Sequence, residues 1–181
     1  MNGRRQERQL QQRREALERA MDLLESGAPM ADLPAQPLVD PGGIFFHDHA
    51  DLVRGLAEVL ERQGLLEAGL ALARHLEDDR DLWLRRLERI EAEPALRARR
   101  AGLDQDYLAV FSAHFRHWGA AGAHGERQAE LEACLVLAAL RGSERLWVRG
   151  QGRPVLPVLV QEALALLWPA LYAHARRHQP R

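Results

Sequence analysis

The chain has no threonine, no lysine, two isoleucines (Ile44 and Ile90) and a single cysteine. With β-branched residues so scarce there is little to build strands from, while the helix formers alanine, leucine and arginine dominate. The composition therefore predicts an all-α protein. One cysteine, Cys134, excludes a disulfide framework within the chain and fits a reducing compartment. Lying in an apolar helical run, it is expected to be buried and inert. No apolar run is long enough to span a bilayer, and the opening MNGRRQERQLQQRRE lacks the apolar core of a signal peptide. A cytoplasmic protein with no membrane partner is expected. No nucleophile elbow, phosphate loop or dinucleotide fingerprint occurs, so neither an enzyme nor a bound cofactor is expected.

At 181 residues the chain can bury a substantial core. Its formal charge of -1 conceals an asymmetry, because residues 1–19 carry six arginines against three glutamates. A basic arm on a neutral body suits contact with a polyanion; the bland alternative is a solvated helix start.

Apolar spacing predicts a first helix over residues 10–26 (Leu10, Leu17, Ala20, Met21, Leu24), stopped by Gly27 and Pro29. Met30 to Ala35 is at best a short second helix, since Pro34 and Pro37 each remove a backbone donor. Asp40 is placed to cap a third helix with Pro41 in its first turn. A further stripe runs through Leu52, Leu56, Val59 and Leu60 to Gly64, and apolar spacing continues from Leu65 to a break at Pro94. A helix from about Asp104 to Trp118 follows, then the glycine-rich loop 119–125. Two strongly apolar helices, about 126–148 and 155–175, close the chain. Each is apolar on more than one side and so has two surfaces to bury. The expectation is a homodimer with a four-helix seam through Leu131, Leu135, Leu156, Leu159, Leu164 and Leu167. The alternative is that both faces are core.

Arg14, Ala16, Leu17, Ala20, Leu23, Leu24 and Gly27, then Asp32 and Leu33, then Val39, Pro41-Gly42, Ile44, Phe45, Phe46 and His47 together resemble the helix-turn-helix of the tetracycline-repressor (TetR) family of bacterial transcriptional regulators. The likeness covers about residues 13–56. It implies about nine helices: a three-helix DNA-binding module over residues 1–50 and a helical effector-binding and dimerisation domain over 51–181. It also implies a ligand-responsive regulator, a repressor by analogy. DNA contacts would fall to Arg4, Arg5, Gly42, Gly43, Phe45, Phe46, His47 and His49.

The departures from the family pattern all weaken DNA contact. Asp40 brings negative charge where a hydroxyl cap is usual, and Phe45 and Phe46 replace a tyrosine that reaches the phosphate backbone. His49 is the nearest stand-in for a lysine, and Leu38 replaces the turn glycine. Losing three or four phosphate anchors would weaken binding by about two to four orders of magnitude. Two readings remain: a repressor binding DNA through a weakened helix-turn-helix, or a dimeric small-molecule sensor or protein-interaction module with a vestigial reader.

In the resembled family the body binds small, often apolar effectors. Trp83, Tyr107, Phe111, His114, Phe115 and Trp118 come from the segments that would line such a pocket, which predicts an elongated apolar cavity beside Phe111 and Phe115; ordinary core packing is the alternative. His47-Asp48-His49 with Asp51, and separately His114, His117 and His124, have a metal-like composition. Neither set is completed as a clear ligand shell, and no metal is expected.

Overall fold

A computed structural model describes residues 2–28, 43–118 and 123–172. Among these the order is α1 (Asn2–Glu25), a 3-10 turn (Gly43–Phe46), α2 (His49–Gln63), α3 (Leu65–Asp78), α4 (Arg80–Ala92), α5 (Pro94–Trp118), α6 (Ala123–Arg149) and α7 (Leu156–Tyr172). The described residues thus hold seven α-helices and no strand, as the composition predicts, although the expected nine helices are not reached among them. The expected second helix, the Asp40 cap and Gly42 lie outside the described residues.

α1 begins earlier than its apolar spacing suggested, but its buried face is the expected one: Ala16, Leu17, Ala20, Met21 and Leu24 recur at three and four residues. It ends where Gly27 takes φ +89 and its N–H bonds the Leu24 carbonyl, a left-handed stop that suits glycine. Gly64, at φ +84, likewise separates α2 from α3. Pro94 opens α5, where its missing donor costs nothing, and the helix runs unbroken to Trp118 rather than starting near Asp104.

The body is built on α5 packed against α6 and α6 against α7, with α3 lying on α7 and α2 on α3. Gly69 lets α3 approach closely: a Cβ there would stand 3.1 Å from Leu164 Cδ1 and 3.2 Å from Val160 Cγ1. α7 is fastened at its start by the Glu77 carboxylate, which accepts the Leu156 N–H at 2.6 Å. Buried residues of α1 and the turn join those of α2 to α7 in one contiguous cluster.

The expected third helix appears, in its described part, as a four-residue 3-10 turn. Side chains take the carbonyls that a continuing helix would use: Arg86 Nε donates to the Phe45 carbonyl at 2.7 Å and His47 Nδ1 to the Ile44 carbonyl at 2.8 Å. α2 then starts afresh, with the Asp48 carbonyl accepting the N–H groups of Asp51 and Leu52.

Candidate functional site: a charged cavity closed by the turn

Arg86 lies on the apolar stripe of α4, between Trp83 and Ile90, and is buried with them. A guanidinium so placed needs partners for its donors. Besides the Phe45 carbonyl, it has the Asp48 carboxylate in a two-pronged pair at 2.6 and 2.7 Å, and it lies 4.1 Å from the Trp83 ring centre. Burial is the largest influence on Asp48 and works to raise its pKa. The bonds and charge of Arg86, aided by His47, outweigh it and hold the carboxyl below the usual range.

A second cluster joins α5 to α6. Glu144, buried on α6, accepts bonds from Arg100 and Arg141, and Arg141 also holds Asp104. Burial alone would raise the Glu144 pKa, but the two guanidiniums bring it below the usual carboxylate range. Tyr107, whose ring lies 5.0 Å from the Arg141 guanidinium, is pushed up to about 12 by burial. His49 closes the side nearest α2: Nε2 donates to Asp106 at 2.8 Å, and its ring meets Tyr107 edge-on.

Between the clusters lies a cavity of about 50 Å³. Phe46, Asp48 and His49 form one wall, facing Arg100, Asp104, Tyr107, Arg141 and Glu144. The rest of the lining is Arg86 and Trp83 of α4 and a hydrocarbon side that includes Leu52, Leu72 and Leu76.

Of the expected pocket residues, Trp83 and Tyr107 line this cavity. Phe111 is wholly buried in the core, while His114 and Phe115 pack edge-on with centres 5.5 Å apart and are not part of the lining. Burial, and then the nearby His117, lower the His114 pKa. The side chain of Trp118 lies outside the described residues. This cavity is lined by charged as well as aromatic and aliphatic side chains, because α5 turns Arg100, Asp104 and Tyr107 toward Arg141 and Glu144. Sequence reasoning missed these charges, although Arg86 within an apolar stripe, and Arg141 and Glu144 one turn apart in an apolar helix, were visible signals.

The expected DNA-contact residues differ in burial where they are described. Phe45 is 0% exposed and Gly43 is buried, while Phe46, His47 and His49 are half-buried. Gly42 and the side chains of Arg4 and Arg5 lie outside the described residues. His47 and His49 reach different partners and do not converge, and no group of three or more potential metal ligands occurs among the described residues.

Of the expected seam residues, Leu131 and Leu135 are exposed on α6, at 63% and 44%. Leu156, Leu159 and Leu164 are instead buried in the chain's own core, and Leu167 packs against it. α7 has apolar residues on more than one side, and its inward face, opposite the exposed Gln161 and Glu162, is the one carrying those three leucines. Its outward face carries Val158 and Leu166, the latter 82% exposed. Cys134, expected to be buried, is exposed beside Leu131 and Leu135, because the helical period carries it to the outer side of α6. No helix among the described residues is long and apolar enough to cross a membrane.

Comparison with protein-family models, with curated proteins and with solved structures finds no match to this chain.

Proposed function

We propose that the protein is a homodimeric helical sensor module of the TetR type, in which the segment resembling a DNA reader serves as a structural strap over the body cavity. The observation that carries this reading is the burial of Phe45. It stands where the resembled family has its backbone-contacting tyrosine, yet it has no exposed surface, and its carbonyl is engaged by Arg86. A reader must present side chains to a groove and to phosphates. This turn commits Phe45 to the core.

Dimerisation through the outer faces of α6 and α7 is supported by Leu131, Leu135 and Leu146, exposed along one face of α6, together with the exposed Val158 and Leu166 of α7. The test is a fluorescence-anisotropy titration against the gene's own promoter region and a scrambled duplex, at about 50 mM salt, where phosphate contacts are strongest. Equal, weak binding of the two is expected. Selective binding of the promoter would restore the repressor reading with its weakened helix-turn-helix. Light scattering on the same sample should give twice the chain mass, falling to one chain in Leu131→Glu/Leu166→Glu with helicity unchanged.

A further inference from the structure

The cavity of the proposed sensor has a charged side and a hydrocarbon side, and the charges balance. Arg86, Arg100 and Arg141 face Asp48, Asp104 and Glu144. Adding an anion to such a set leaves a buried charge uncompensated, whereas exchanging one carboxylate for another does not. The three carboxylates are unequal in their freedom to leave. Asp104 is within α5, and Glu144 is within α6 and gripped by two guanidiniums. Asp48 alone lies outside a helix, in the link between the turn and α2, with 21% of its side chain exposed. Its partner Arg86 belongs to α4, where it is buried beside the Trp83 ring.

The strap, residues 45–49, is tied to the body by the buried Phe45 ring at its start and by polar bonds over the rest of its length. Arg86 takes the Phe45 carbonyl and the Asp48 carboxylate, and Asp106 takes His49. Phe46, Asp48 and His49 are at once the strap and a wall of the cavity. The cavity is partly open to solvent and its sheltered part has room for only a few water molecules, so an occupant that buries an apolar tail there must move a wall. The Asp48–His49 end of the strap is the part of the wall held by exchangeable bonds.

We propose that the cavity binds a small monocarboxylic acid with an apolar tail, its carboxylate taking the place of Asp48 on Arg86 and thereby releasing the strap; this assignment rests on the sensor reading above. Both oxygens of such a ligand match the two-pronged guanidinium face that Asp48 now occupies. The displaced Asp48 turns into water, the buried charge count is unchanged, and the tail lies along Leu52, Leu72 and Leu76.

Sodium hexanoate is a suitable probe, with 1-hexanol as the uncharged control, using calorimetry and amide hydrogen exchange on the full chain. Hexanoate should bind and hexanol should not over the same concentrations, and exchange at residues 43–49 should speed up on binding while α5 and α6 stay protected. Asp48→Asn removes the competing internal charge, so it should bind hexanoate about tenfold more tightly than the unaltered chain, roughly the value of one charge-assisted bond. The assignment is overturned by equal binding of acid and alcohol, by binding of neither, by slowed exchange at 43–49, or by unchanged affinity in Asp48→Asn. The unaltered chain decides the first three of these outcomes even if the variant does not fold. Selective promoter binding in the anisotropy titration would overturn the parent reading separately.

Discussion

Replacing Arg86 by methionine tests the junction that joins the turn to the body. Methionine keeps most of the hydrocarbon length that packs beside Trp83, so the loss is chiefly polar. Two bonds to Asp48, one to the Phe45 carbonyl and the contact with the Trp83 ring disappear together. Removing one member of a buried ion pair costs about 3–5 kcal/mol, mostly through the charge left behind. Asp48 retains some access to water, which puts Arg86→Met at the lower end, about 3 kcal/mol. That is a large share of the roughly 5–15 kcal/mol that holds a domain folded. Neutralising the orphan should recover part of the loss, so Arg86→Met/Asp48→Asn should fall about 1–2 kcal/mol short of the sum of the single changes. Urea unfolding at one fixed protein concentration measures this, with the midpoint shifting and the slope unchanged. A single-variant cost under about 1 kcal/mol, or strict additivity in the double variant, would refute the claim that a desolvated charge pair anchors the turn.

Acid should weaken the fold in two stages. Burial, the largest influence on His47, lowers its folded pKa, so its contribution is complete above the ordinary histidine value of about 6.5 and drains as the pH falls through the folded value. Asp48 and Glu144 are also lowered, so theirs is complete above the ordinary carboxylate value of about 4 and is lost as the pH drops further. Urea midpoints between about pH 7 and 3 should therefore fall throughout and most steeply below 4, and a flat profile would contradict the assigned burial. At Gly69 the close approach of Leu164 and Val160 leaves no room for a branched side chain, so Gly69→Val should cost about 1–3 kcal/mol in the same assay. Gly102→Ala is its counterpart: mid-helix, exposed and with nothing near its would-be Cβ, it should stabilise by about 0.5–1 kcal/mol. Equal effects at the two glycines would mean that α3 does not approach α7 as described.

Much of the helical architecture could be read from local pattern. The inward face of α1 follows from Ala16, Leu17, Ala20, Met21 and Leu24, and its end from Gly27, because amphipathic spacing and a left-handed glycine act within a turn or two of chain. The start of α5 was misjudged for a related reason. Arg97, Ala98 and Ala101 face solvent, so the first turns of that helix carry little apolar stripe even though arginine and alanine favour helix.

What the sequence determined by itself is the class of fold, most helix limits and the presence of two last helices with more apolar surface than one interior needs. Which leucines of α7 point inward was harder to read, because apolar residues occur on more than one side and only Gln161 and Glu162 mark the solvent face; the packing of α3 and α6 selects Leu156, Leu159 and Leu164. The tertiary structure alone decided the charged cavity. Arg86 meets a carbonyl 41 residues away and Arg100 a carboxylate 44 residues away, and pairs of this kind exist only once the helices have been brought together.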